Sequence, residues 1–154
     1  MKLAEALARR AELTQRFQEL RGRAVASARH QEGDQPDEDP GELLAEAERV
    51  AAELEELMAR INATNLATEV EPGLTVTRAL ARRDVLRLRR DLRVDLADAG
   101  SVGQGGRFGR SEIKSVSSVD VRALRHDADA LAAELRALDS RLQATNWTTE
   151  VVDG

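Results

Sequence analysis

The chain of 154 residues contains no cysteine, so disulfides and thiolate chemistry are excluded and its redox compartment is not encoded. Aromatic side chains are almost missing as well: only Phe17, Phe108 and Trp147 occur, and there is no tyrosine. Base-stacking nucleic-acid modules depend on such rings. No apolar run approaches the roughly 20 residues of a membrane-spanning helix. The first residues, MKLAEALARRAEL, carry Glu5, Arg9, Arg10 and Glu12 and lack the apolar core of an export signal. The expectation is a cytoplasmic protein with no membrane partner. The two histidines, His30 and His126, belong to no metal-ligand pattern, and nucleotide-binding and nucleophile-elbow motifs are absent. No catalytic, metal-binding or cofactor-binding residue can be named, and the reading favours a non-enzymatic protein.

What is present is helical. Apolar residues make up 42% and charged residues 33% of the chain, much of the charge at helical spacing. The apolar supply is mainly Leu, Val and Ala. Such a core buries little area per residue, at roughly 25 cal/mol per Å², which argues for burying more surface by self-association.

The chain also repeats itself. Residues 50–73 and 131–154 align at an offset of 81 with 13 of 24 positions identical. Upstream, Ala79-Leu80-Ala81-Arg82-Arg83 repeats Ala6-Leu7-Ala8-Arg9-Arg10 at an offset of 73. A period of this length means one supersecondary unit built twice. The expected organisation is one helical domain over 1–154, with one hairpin in 1–73 and a second in 74–154.

Three- and four-residue steps between apolar positions predict four helices. The first spans about Lys2–Ala28, with Leu3, Ala6, Leu13, Phe17, Leu20 and Ala24 on one stripe. The second spans about Gly41–Thr64, with Leu43, Ala47, Val50, Leu54, Leu57 and Ile61 aligned. Asp39 is its expected N-cap and Pro40 its first residue. The third spans about Thr75–Ala99, capped by Thr75 and stopped by Gly100. The fourth spans about Ser118–Asn146, with Ser118 as cap. Short extended segments are expected at 68–75, 112–116 and 149–152, the first turning through Pro72-Gly73. The fold class is mainly α: two tandem antiparallel hairpins in a four-helix bundle-like arrangement with coiled-coil-like packing.

Charge is segregated. Eleven acids and one base lie between Glu32 and Glu56, and seven arginines and two acids lie between Arg78 and Arg93. The second helix is therefore acidic and the third basic, and the two surfaces are expected to face one another, within the chain or between subunits.

Two segments carry the remaining polar interest. In Arg107–Ser118, Arg107, Arg110 and Lys114 form a candidate anion or interaction site, with Glu112 as a local partner. A nucleic-acid version of this site is disfavoured by the net charge of −5 and by the missing aromatics. The repeated ATNxxTEV element places Asn65 and Thr68 in one copy against Asn146, Trp147 and Thr149 in the other. Their expected role is helix termination by side-chain bonds to nearby backbone, with Trp147 packed on a helix end. The alternative is a ligand pocket lined by Asn65, Asn146 and Trp147.

RSEIKSVSSVDV (Arg110–Val121), ALARRDVL (Ala79–Leu86) and NWTTEV (Asn146–Val151) resemble blocks of a bacterial family of unknown function whose members are often labelled septicolysin. The opening MKLAEAL and the acidic EGDQPDEDP loop resemble it too. The resemblance implies a small, mostly helical bacterial protein and supplies no catalytic or binding residues. The label implies a secreted, membrane-active cytolysin. From the residues alone, the expectation is an oligomeric scaffold or interaction module, with the protein partner unspecified. An anion binder at Arg107–Lys114 and a cytolysin-like protein are the two alternatives.

Overall fold

The computed structural model describes residues 1–101 and 115–152. The described residues form a mainly α-helical fold, as the periodicity requires. Helix α1 (Leu3–Ala26) and helix α2 (Pro40–Ala67) pack against each other. A small antiparallel pair follows, β1 (Glu69–Glu71) with β2 (Leu74–Thr75). Helices α3 (Val76–Ser101) and α4 (Val121–Thr148) then pack together. The chain divides into two compact units, Met1–Thr75 with Gln143–Gly154, and Val76–Leu142.

In the first unit the stripes read from the sequence meet. Leu3, Ala6, Leu13, Leu57, Ile61 and Val151 form one buried cluster. Leu20, Leu43 and Ala47 form another, with Phe17, Ala24 and Val50 packed against it. In the second unit the buried side chains are Val76, Ala79, Leu86 and Ala97 of α3 and Ala128, Leu131, Leu135 and Leu138 of α4, together with Leu142. The buried residues of α3 are few and mostly small.

The start of α2 follows its sequence. Asp39 accepts a hydrogen bond from the Gly41 N–H at 2.7 Å, and Pro40 fills the first helical position, where a missing N–H costs nothing. Between β1 and β2, Gly73 takes φ 77°, the left-handed conformation that the Pro-Gly turn demands.

Four local expectations need correction. Helices α2 and α4 do not stop at Thr64-Asn65 and Asn146; they run on to Ala67 and Thr148. No non-glycine residue among those described takes a positive φ, so neither helix ends on a left-handed asparagine. Thr68 closes α2 in an extended conformation, its N–H bonded to the Thr64 carbonyl at 2.9 Å. Gly100 lies inside α3, which continues to Ser101. A side chain would be crowded at this position: a Cβ there would stand 2.7 Å from Val119 Cγ2 and 2.9 Å from Ser117 Oγ. Finally, α4 begins at Val121, and Asp120 rather than Ser118 caps it, accepting from the Ala123 N–H at 2.9 Å.

Of the extended segments, 68–75 is the β1–β2 pair, and 149–152 contributes an isolated antiparallel bridge between Glu150 and Lys2. Residues 112–114 lie outside the described residues, and Ser115-Val116 form no regular element.

Candidate interaction surfaces

The repeated element is where the chain closes. Leu3 donates its N–H to the Thr149 carbonyl at 2.9 Å, and Val151 donates to the Met1 carbonyl at 2.9 Å. Lys2 Nζ reaches the Thr148 carbonyl at 3.2 Å and a Glu150 carboxylate oxygen at 2.7 Å. The Met1 ammonium lies 3.0 Å from the other Glu150 oxygen. Hydrogen bonds from Lys2 and from the ammonium hold the Glu150 carboxyl below the usual carboxylate range. The segment also leans on α2. Arg60 Nε donates to the Val152 carbonyl at 3.0 Å, and the Val152 N–H donates to Thr64 Oγ1 at 3.0 Å. Thr64 is fully buried, and its hydroxyl in turn donates to the Arg60 carbonyl at 2.8 Å.

The candidate repeat positions behave alike in the two copies. Asn65 and Asn146 are both half-buried in the final turns of their helices, and Thr68 and Thr149 are half-buried just beyond them. Thr149 repeats the bond of Thr68, donating to the Thr145 carbonyl at 3.0 Å. Leu66 and Trp147 are the exception to expectation. Both point outward, 65% and 66% exposed, so Trp147 does not pack on a helix end. Arg107, Arg110, Glu112 and Lys114 lie outside the described residues.

The charged residues make ladders along each hairpin. Arg9 pairs with Glu53 at 2.7 Å, Arg16 with Glu46, and Arg23 with Glu38. The Arg23 and Arg16 guanidiniums hold Glu38 and Glu46 below the usual carboxylate range. In the second unit Arg82 pairs with Glu134 at 2.5 Å, Arg87 with Asp139 and Arg93 with Asp127, the last two at 3.8 and 4.0 Å. The acids Glu46 and Glu53 of α2 thus meet α1, and these arginines of α3 meet α4. Across each hairpin the partner helix carries the opposite charge at matching spacing. All these pairs are solvent-exposed, so each adds little to stability.

Chemically the described residues offer surfaces rather than a constellation. No group of three or more His, Asp or Glu among them is arranged to hold a metal ion. One open depression is lined by Arg23, Asp37, Glu38, Asp39, Glu42 and Glu46 among others, mostly the cap and ion-pair residues already described. No helix among the described residues is long and apolar enough to cross a membrane.

Exposed apolar side chains are the more informative feature. Besides Leu66 and Trp147, helix α3 presents Val85, Leu88, Leu92 and Leu96 to solvent, 52%, 70%, 57% and 40% exposed. Their steps of three, four and four residues put them on one stripe. The sequence contained the signal, because α3 carries two apolar sets: this one, and the set of Ala79, Leu86 and Ala97 that is buried. Only one stripe is needed to pack a helix on its hairpin partner.

Comparison with solved structures finds the crystal structure of a functionally unknown conserved protein from Corynebacterium diphtheriae. It is 45% identical, with 99% of each chain covered and a TM-score of 0.90. The comparison with curated proteins gives no match. The septicolysin resemblance is not upheld: that label appears neither in the matching family nor in the similar structure, both of which are described as of unknown function. Residues 10–151 match the model of a family of unknown function, DUF6847, and the chain belongs to that family.

Proposed function

We propose that this chain is a non-enzymatic, oligomeric scaffold or interaction module, built as a single domain from a helical hairpin used twice, in 1–73 and 74–154. The observation that carries the reading is the set of large apolar side chains left on the surface, Leu88, Leu92 and Trp147 above all. Single exposed leucines are ordinary, but an aligned run of them is a feature of surfaces that dock.

The duplication has its own support. Shifting Arg9 by 73 and Glu53 by 81 gives Arg82 and Glu134, and both pairs are ion pairs across a hairpin. The same two shifts carry Lys2 and Glu69 to Thr75 and Glu150. Glu69 is bridged to Thr75, and Glu150 to Lys2. Two offsets found in sequence therefore reproduce two kinds of contact. Light scattering on the eluted protein over a dilution series tests the assembly. The expected result is a mass at least twice that of one chain; a single-chain mass at every concentration, up to several hundred micromolar, overturns it.

A further inference from the structure

We propose that helix α3 is a homotypic docking helix: the stripe Val85, Leu88, Leu92 and Leu96 seats on the same stripe of a second copy, with the two helices parallel. The inference rests on the oligomeric reading above and names its surface.

The other half of the chain lacks this apolar face. At the offset of 73 that relates α1 to α3, the four stripe positions correspond to Glu12, Gln15, Glu19 and Arg23. These four are exposed on α1, as their counterparts are on α3. The same face is charged or polar in one helix and aliphatic in the other. The buried stripe, by contrast, keeps its character at Ala6 and Ala79, and at Leu13 and Leu86. Packing a hairpin therefore does not require the apolar face. Keeping four large aliphatic side chains in water is unfavourable, and burial against a partner removes that cost.

Charge selects the occupant. In heptad terms Val85 and Leu92 fall at a, Ala81 and Leu88 at d. Arg82 and Arg89 then fall at e on one flank, and Asp84, Asp91 and Asp98 at g on the other. A parallel pair brings the g flank of each helix against the e flank of its partner. Asp84 then meets the partner subunit's Arg89, twice by symmetry. An antiparallel pair brings like flanks together, so arginines face arginines and aspartates face aspartates, which is unfavourable. Asp84 already lies beside Arg83 and Arg87 of its own helix, and the added pair with the partner's Arg89 favours the parallel orientation. Asp95 takes the d position after Leu92, so close contact is confined to the turns from Ala81 to Leu92, with Leu96 at its margin.

The absence of cysteine makes a clean test on the full-length protein. Ala81 and Ala99 are exposed at opposite ends of the stripe. In a parallel pair Ala81→Cys lies beside its copy and closes a symmetric disulfide under mild oxidation. In an antiparallel pair the two thiols introduced by Ala81→Cys stand about 27 Å apart, at 1.5 Å per residue, and only a mixture of Ala81→Cys and Ala99→Cys cross-links. Leu88→Glu with Leu92→Glu is expected to abolish the dimer while leaving the circular dichroism unchanged, because both sites are exposed. Arg89→Asp or Asp84→Arg alone should raise the dimer dissociation constant roughly tenfold, and the two together should restore it. A protein that is monomeric throughout overturns both this surface and the oligomeric reading. An oligomer that survives the double glutamate variant and forms no disulfide in the Ala81→Cys variant overturns the surface alone. Cross-linking only in the mixture overturns the parallel arrangement.

Discussion

Thr64 serves the helix it sits in and a segment far away in sequence. Its hydroxyl donates back to Arg60 within α2 and accepts from Val152, and the side chain is fully buried. Thr64→Val keeps the shape and deletes both bonds. It should lower unfolding free energy by about 1 kcal/mol, the typical net value of a hydrogen bond, with water able to reach half-exposed Val152. Thr64→Ser, which keeps the hydroxyl, should cost less; urea denaturation of both variants measures the difference. Glu150 gives a pH signature. Its folded carboxyl is held below the ordinary range by hydrogen bonds from Lys2 and the Met1 ammonium. A lowered folded pKa means that the contribution is present above the unfolded carboxylate value and disappears as pH falls through the folded one. Amide exchange at Val151 should therefore accelerate relative to the rest of the chain as the solution is acidified through that window. In Glu150→Gln the extra acceleration should be missing.

The helices show where a sequence can be read and where it misleads. The stripes of α1 and α2, the Asp39-Pro40 start and the Pro72-Gly73 turn were legible because each is a local matter of spacing or φ. The helix ends were not. Thr and Asn at 64–65 and 145–146 read as terminators because their side chains compete for backbone bonds. Here the Thr64 hydroxyl bonds backward within the helix and is held by the distant Val152, a partner that no local window reveals. Gly100 reads as a stop signal for a local reason, its conformational freedom, and what the sequence does not reveal is that a Cβ there would crowd Val119 and Ser117. Gly100→Ala makes that distinction measurable. Alanine normally stabilises a helix interior by up to about 1 kcal/mol over glycine, and by less near a helix end such as this one. The close contact with stiff, branched Val119 should reverse the sign, for a net loss of about 1–2 kcal/mol, as overpacked sites show. A stabilised variant in thermal or urea unfolding would count against the tight approach.

For the molecule as a whole, the fold class was legible and the surface less so. Four amphipathic stretches with polar breaks between them leave few architectures other than helical hairpins. The charge asymmetry between α2 and α3 was legible in the sequence, whereas the opposite charges that face each other across each hairpin were not singled out. The candidate anion site at Arg107–Lys114 lies outside the described residues. On α3 the contrast is already in the sequence, in Glu12, Gln15, Glu19 and Arg23 against Val85, Leu88, Leu92 and Leu96. Spacing alone does not distinguish the buried apolar set of α3 from the exposed one; packing on α4 does.

The closure of residues 1–3 on residues 148–152 bears on how the protein comes apart. Fraying ordinarily begins at terminal segments, each loosening on its own. Here Leu3 is fully buried and Val151 shares its cluster, so neither segment can peel away without exposing the other. Release of Glu150 frees Lys2, and release of Val152 takes away the donor that the buried Thr64 hydroxyl accepts from. The two most distant parts of the chain are thus one cooperative unit, and the first turn of α1 and the last turn of α4 melt together or not at all.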